Sequence, residues 1–410
     1  MNQLLPLYTH FSGVLKHTSN ICCLWVNMEK ISWMYRVTRG RRRTLQNVTL
    51  LLVNSLCLFL IQKTIVLESC DKITSQKKVH DAQPLKMMTP SCDRNMSMNE
   101  MEGFFTFPSY IQDFLYYRHC RKFPELQTLP HKCDIPKGSG EPFFLLAIKS
   151  SPENYERRAV LRKTWAAGRL HQGMLIRTIF LIGTRGTGFK KKRYNKLLEL
   201  ENKKHADILQ WDFNDNFYNL TLKQVLFLDW MQNWCPTVDF IFSGDDDVFA
   251  NTDNMVDFLK AQGDNAGSKH LFVGHVLYES SPVRDVTSKY FVPEQIEKGD
   301  LYSAYCSGGG YLLSRFTAMT IFQMSHFITI MPIDDAYIGV CLKRAGLHPM
   351  DHRGFWADGL VIPSNQLDTL DPCHYREILL GHKFLPDQIF LLWNEIHRRD
   401  LKCGLTLDYD

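Results

Sequence analysis

The chain has 410 residues, 45% of them hydrophobic and 12% aromatic, enough apolar material for one large domain or two ordinary ones. Its formal net charge of +5 is only mildly basic at this length and makes no case for nucleic acid as a partner.

At the N-terminus Arg36, Arg39, Arg41, Arg42 and Arg43 crowd one short run, and an apolar segment, Thr44 to Leu67, follows. Its densest part, Val48 to Ile61, is short for a spanning helix of ~20 residues. Extension past Lys63, which can snorkel, reaches that length. Arginines before the segment and none inside it predict a signal anchor over 44–67 with a cytosolic tail over 1–43. The competing reading, a cleaved secretory signal, lacks a good small-x-small site, because "VLESCDK" is a poor one. Residues 1–27 are irregular, and Met28 or Met34 would begin a more ordinary tail, so they read as an upstream extension of the gene model. Residues 68–104 are polar without periodicity and read as a stem, leaving 105–410 as a lumenal domain.

Nine cysteines follow the apolar segment: Cys70, Cys92, Cys120, Cys133, Cys235, Cys306, Cys341, Cys373 and Cys403. None forms a zinc-type CxxC, so disulfides in an oxidising lumen are the better reading. An odd number leaves at least one unpaired, and Cys70, nearest the membrane, is the candidate. Asn95 and Asn219 lie in lumenal sequons open to glycan, whereas the sequon at Asn47 falls in the apolar segment.

In chain order, "IQDFLYYRHCRKFPEL" (111–126) predicts a helical lead-in, and "PKGSGEP" (136–142) a joint. Strands are predicted over 143–150, 175–183, 207–213 and 238–243, alternating with helices over 154–165, 190–205 and 220–234. That alternation predicts an α/β fold with a mostly parallel sheet and helices on both faces, with ligands bound outside the carboxyl ends of the strands. Further on, "HLFVGHVL", "KYFVPE" and "GGGYLLS" read as strands. Residues 334–346 read as a helix with Asp334 at its N-cap and Gly346 at its stop, and 386–399 as a helix opened by Pro386.

Four motifs carry chemistry. "FIFSGDDDVFA" ends an apolar strand in Asp245, Asp246 and Asp247, three like charges that need positive compensation. Carboxylates in this pattern suit Mg²⁺ or Mn²⁺ whose remaining ligands come from a diphosphate. A solvated acidic turn is the plain alternative, and an EF-hand is excluded because its glycine would fall on Ala250. "PIDDAYIG" sets Asp335 at a helix start, where the dipole favours the ionised carboxylate and a role as proton acceptor. Gly308, Gly309 and Gly310 allow close backbone approach to a ligand, or form a plain turn. His382, in "LLGHKF", is by itself as consistent with structure as with metal binding.

Taken together, "RRAVLRKTW", "WDFNDNFYNLTLK", "FIFSGDDDVFANTDN", "KYFVP", "YCSGGGYLLS", "PIDDAYIGVCL" and "LLGHKF" occur in one order that resembles the family 31 β-1,3-glycosyltransferases. Within them the chain is similar to the β-1,3-N-acetylglucosaminyltransferases that extend N-acetyllactosamine or mucin core chains. The resemblance covers roughly 105–405. It implies a GT-A nucleotide-sugar transferase fold, a Golgi type II membrane protein, and Mn²⁺, or Mg²⁺ in its place, with a UDP-sugar. It further implies transfer of N-acetylglucosamine from UDP-GlcNAc to a galactose-terminated glycan, with homo- or hetero-oligomers as further partners. By residue, it implies Asp245, Asp247 and His382 as metal ligands, Asp246 near ribose, and Asp335 as catalytic base. Lys149, Arg158, Arg162, Asp215 and Lys223 fall on the donor side, and Gly308, Gly309, Gly310 and Asp334 in the loop where donor and acceptor meet. The positive charge missing from the triplet would then come from the metal. Two departures stand out: "YSAY" puts Ser303 and Ala304 where relatives often carry two prolines, and Ala166 replaces the usual Gly after "TW". A β-1,3-galactosyltransferase using UDP-Gal, and a catalytically silent lumenal chaperone or lectin, are the competing functions.

Overall fold

The computed structural model describes residues 92–134, 141–357 and 370–403. The expected tail, the anchor over 44–67 and most of the stem, with Cys70, lie outside the described residues. Among the described residues no helix is long and apolar enough to cross a membrane. The end of the expected stem is part of the folded domain. Phe104 is 1% exposed, Met98 and Met101 pack against the same core, and the Cys92–Cys120 disulfide ties the segment down.

The strands are β1 (Glu125–Gln127), β2 (Phe143–Lys149), β3 (Arg169–His171), β4 (Met174–Thr184), β5 (Ile208–Asn214), β6 (Phe240–Asp245), β7 (Val248–Ala250), β8 (Phe272–Gly274), β9 (Val276–Leu277), β10 (Tyr305–Cys306), β11 (Gly310–Ser314), β12 (Met350–Asp351), β13 (Phe355–Trp356) and β14 (Leu380–His382). The main sheet runs β1-β5-β4-β2-β6-β11-β8-β12, with β3 on β4; β9 pairs β10, and β13-β14-β7 form a third sheet. The run β5-β4-β2-β6 is parallel, as the βα alternation predicts. The whole sheet is mixed rather than mostly parallel, because β1, β3 and β11 pair antiparallel with their neighbours. The helix-strand alternation that licenses a parallel reading stops after β6, and β11 returns beside it in the opposite sense.

β2 lies at the centre and is buried along its whole length, which is why it reads as an unbroken apolar run. Its residues alternate between two cores. Phe143, Leu145 and Ala147 join one, and Phe144, Leu146 and Ile148 the other. The Leu220–Trp234 helix, with most of its residues buried, covers the first.

Two expected elements differ. The lead-in helix is Ser109–Tyr117 only, and the end of that stretch forms β1. "KYFVPE" forms no strand; Phe291 makes a single bridge to Val283, since no neighbouring strand is there to pair its β-prone residues. Cys133–Cys235 and Cys373–Cys403 complete three disulfides among the described residues, and two buried thiols there, Cys306 and Cys341, are free.

Arg158 is 0% exposed and meets Glu201 through two bonds of 2.8 Å, joining the Tyr155–Leu161 helix to the Gly188–His205 helix. Removing Arg158 leaves the buried Glu201 with Arg162 alone, at 2.7 Å. Arg158→Met should therefore lower the unfolding free energy by about 1.5–3 kcal/mol, the worth of hydrogen bonds to a charged group, read from urea denaturation; a loss below the scatter of the fit would show the pair to be dispensable.

Candidate active site

The site is built at the carboxyl ends of β2 and β6. Sheet register sets Lys149 directly beside Asp245. The chain then turns through Asp246 and Asp247 into β7, and the pairing of Val248 with His382 on β14 brings the histidine to the triplet. His382 Nε2 lies 3.4 Å from Asp247 Oδ1. Its Nδ1 is 3.0 Å from the Ala357 carbonyl, which can only accept, so Nδ1 carries the hydrogen and Nε2 of the neutral ring keeps a free lone pair toward the acids. Ligand atoms of Asp245, Asp247 and His382 all lie within 4.8 Å of one another, an oxygen, oxygen, nitrogen set that suits a divalent ion such as Mn²⁺ with sites left for other oxygens.

The protein itself supplies much of the positive charge the triplet needs, contrary to the expectation that a metal alone would. Lys149 Nζ, on a side chain only 3% exposed, lies 3.3 Å from Asp245 and 2.9 Å from Asp334. Arg157 lies 3.9 Å from Asp246 and 3.8 Å from Asp247. Asp246 is held by Ser150 Oγ at 2.6 Å and Asn154 Nδ2 at 2.9 Å. Burial raises Asp245 to about 6, with Lys149 opposing and Asp247 and Asp334 adding to it. Burial also pushes Asp247 up, but the hydrogen bond and charge of His382, with Arg157, outweigh it and hold Asp247 below its ordinary value. For His382 burial works downward, and Asp247 reverses it and raises the imidazole.

Asp334 and Asp335 open the Asp334–Arg344 helix, and Asp334 is not its cap: Ile333 holds the cap position, and the Asp334 carboxylate reaches back to Lys149 instead. Asp335 also departs from the expectation drawn from the helix dipole. Burial and the neighbouring Asp334 raise its carboxyl well above the usual range, and Lys149 opposes them without prevailing. Its Oδ1 is buried and accepts no hydrogen bond. Gly308 makes room for it, since a Cβ there would stand 2.6 Å from Asp335 Oδ1; a Cβ at Gly309 would stand 3.0 Å from His382 Nδ1. Gly310 begins β11 opposite Gly244.

A cleft of about 350 Å³ adjoins the triplet, lined by Lys149, Asp215, Lys223, Asp245, Asp246 and Asp247 among others. Lys223 is buried in its wall, bonded to Asp215 at 2.8 Å and to the Ser150 carbonyl at 2.7 Å. Arg158 and Arg162 are not in that lining. Their guanidiniums face Glu201 and Asp207. Arg157 and Arg185 line the cleft in their place, and sequence reasoning missed both. Arg157 adjoins Arg158 on one helix, and spacing alone does not say which faces the cleft; Arg185 immediately follows the carboxyl end of β4, a signal that was legible. Of the sequon asparagines, Asn95 accepts from Ser97 N and Oγ, and Asn219 donates to the Asn214 carbonyl next to the cleft; both are partly exposed.

His382→Ala should weaken Mn²⁺ binding in the presence of UDP by about tenfold or more, followed by titration calorimetry; an unchanged metal titration would remove His382 from the set.

Comparison with known proteins shows the family. Residues 156–353 match the family described as Galactosyltransferase. The chain is 47% identical over 322 residues to N-acetyllactosaminide beta-1,3-N-acetylglucosaminyltransferase 3 of Homo sapiens, covering 78% of this chain and 84% of that one. It is 47% identical over 317 residues to the acetylgalactosaminyl-O-glycosyl-glycoprotein beta-1,3-N-acetylglucosaminyltransferase of Mus musculus, covering 77% and 80%. It is 36% identical over 322 residues to UDP-GlcNAc:betaGal beta-1,3-N-acetylglucosaminyltransferase 7 of Mus musculus, covering 78% and 79%. Among solved structures, a galactosyltransferase in complex with donor and acceptor sugar analogues aligns over 62% of this chain and 95% of its own at 13% identity and a TM-score of 0.33, too distant to carry an argument. With relatives at this identity over most of its length and the acidic cluster, histidine and buried carboxylate assembled in one site, the chain belongs to the family 31 β-1,3-glycosyltransferases.

Proposed function

We propose that this protein is an inverting β-1,3-N-acetylglucosaminyltransferase with a GT-A fold, moving N-acetylglucosamine from UDP-GlcNAc to the 3-hydroxyl of a galactose-terminated glycan. The observation that carries the reading is Asp335, whose buried Oδ1 has no partner and which sits beside the Asp245, Asp247 and His382 set. The names of the relatives support N-acetylglucosamine as the sugar and the β-1,3 linkage.

In this reading Asp245, Asp247 and His382 hold Mn²⁺, which when bound neutralises the charge of the diphosphate leaving group as a Lewis acid. Arg157 and Arg185, the partly exposed cations of the cleft, bind phosphate oxygens. Asp246, already fixed by Ser150 and Asn154, presents its remaining acceptor capacity to ribose. With the leaving group stabilised in this way no acid is needed there, so one catalytic carboxylate suffices, unlike the pair glycosidases commonly use. Asp335 takes the proton of the acceptor hydroxyl as its oxygen bonds to the anomeric carbon and the bond to UDP breaks on the opposite face, turning α into β. It acts in its ionised form, which the charge of a divalent ion held beside Asp245 would favour against the burial and the Asp334 charge that raise it. Lys149 orients the site by holding Asp334 and Asp245. We place the domain in the Golgi lumen, anchored through 44–67 with glycan on Asn95 and Asn219, on the strength of the arginine run, the apolar segment and the two sequons.

Incubation of the full chain with Mn²⁺, each UDP-sugar and a galactose-ended acceptor should give β-1,3-linked N-acetylglucosamine; transfer from UDP-Gal alone would reassign the donor, and no turnover by folded protein would favour a silent binding protein. Asp335→Asn should lower transfer by at least about 10²-fold while UDP binding survives; retained activity would remove Asp335 as base. Gly308→Ala pushes a methyl group into Asp335 and should lower kcat with little change in UDP affinity; wild-type kcat would show that the approach of the two residues is not needed.

A further inference from the structure

Arg162 leads to a second site. Lys132, Arg162, Arg177, His205 and Asp207 line a recess of about 260 Å³ that shares no residue with the cleft. Arg177 lies four residues before Leu181, the partner of Lys149, so about 13 Å of strand separates the two along β4.

The charges in this recess do not balance. Asp207 faces it and Glu201 backs it, and both are engaged. Arg158 grips Glu201, while Arg162 bonds Asp207 at 2.8 and 2.9 Å and Glu201 at 2.7 Å. Those two guanidiniums cancel the two carboxylates, leaving Lys132 and Arg177 in excess, with His205 beside them when protonated. The hydrogen bonds of Lys132 and Arg177 go to neutral carbonyls, those of Ala206 and Lys132. Arg162 Nη1 is buried and has no hydrogen-bond partner, on a side chain 11% exposed. A buried donor without an acceptor costs free energy, and a water would supply the acceptor but not the missing negative charge. Burial holds Lys132 below its ordinary value, with Asp207 opposing and Arg177 and Arg162 adding to it; burial and Arg162 likewise lower His205.

We propose that this recess binds a small dianionic oxyanion, phosphate or sulfate, with Arg162 Nη1, Arg177 and Lys132 as its donors. The anion joins the Lys132 segment, which the neighbouring Cys133–Cys235 disulfide ties to the core, to β4 and to the turn after the Tyr155–Leu161 helix. It acts on the stability of that end of the sheet and stands apart from the transfer reaction.

The test is thermal unfolding of the full chain, without divalent metal, in sodium phosphate against sodium chloride at matched ionic strength. Phosphate at about tenfold its Kd should raise the midpoint by about 2 °C or more, and sulfate should do the same. The shift should vanish in Lys132→Gln/Arg177→Gln and fall by at least half in Lys132→Gln, whose partly exposed side chain lies outside the apolar core. It should persist in Arg185→Gln, which weakens anion binding in the cleft instead. An equal rise in chloride, an undiminished shift in the Lys132 variants, or loss of the shift in Arg185→Gln would each overturn the proposal.

Discussion

The geometry of the active site depends on Lys149. Its buried ammonium sits between Asp245 and Asp334, side chains that reach it from β6 and from a helix that begins 185 residues later. Sheet pairing supplies half of this arrangement, because Lys149 and Asp245 are in register. The other half draws the start of the Asp334–Arg344 helix onto the sheet. An ammonium so buried is tolerable only because more than one carboxylate meets it, and two carboxylates so close are tolerable only because it is there. Asp335 is the residue this balance leaves over. It lies next to Asp334, which is paired, and has no cation of its own, so its carboxyl is the one driven toward holding a proton.

The same helix explains how the loop before the glycines keeps its shape. The resemblance leads one to expect two prolines in this loop, which would fix φ; here Ser303 and Ala304 stand in their place. The backbone is instead gripped from below. A Cβ on Gly339 would stand 2.7 Å from the Ala304 carbonyl and 3.1 Å from that of Ser303, so the helix touches the loop backbone directly. One turn nearer its start, Asp335 meets Gly308. Packing against a rigid helix thus supplies order that the missing pyrrolidine rings would otherwise give. Ala166, the other departure, is buried without disturbance, and its carbonyl accepts from Thr178 Oγ1 at 2.6 Å.

How much was legible in the sequence depended on the range of the forces involved. β2 was legible nearly to the residue because burial on both faces writes a continuous apolar run, and the Leu220–Trp234 helix because a stretch of that length, polar at Lys223, Gln224 and Asp229, suits a helix rather than a strand. The antiparallel half of the sheet was not, because the direction of β11 beside β6 is set by chain return rather than by local pattern. "KYFVP" has the composition of a strand and lacks only a neighbour. The acids and the histidine were visible as motifs, yet the grounds for their roles were not. Asp334 looked like a cap until Lys149 was seen across the sheet, and Arg158 looked like a donor contact until Glu201 took it. A helix dipole predicted an ionised Asp335, and desolvation with a like-charged neighbour reversed the direction.

The two sides of the acidic cluster are held with different strength, and this bears on where an incoming cation would act. On the Asp334 side the partner is a buried ammonium, whose displacement would expose Asp245, Asp334 and Asp335 to one another. Asp247 is met less closely, at 3.4 Å from His382 and 3.8 Å from Arg157, and Asp245 resembles it, 3.3 Å from Lys149 with a side chain 33% exposed against 32%. His382 is raised chiefly by Asp247, with the Ala357 carbonyl and Asp245 adding to it, so a divalent ion on Asp247 would loosen the hold on that proton and free the imidazole to act as a ligand. Arg157 would then be free to follow the negative charge onto a phosphate in the cleft it lines. The Lys149–Asp334 pair is therefore the fixed frame, and Asp245, Asp247, His382 and Arg157 are the residues that would exchange protein partners for metal and substrate.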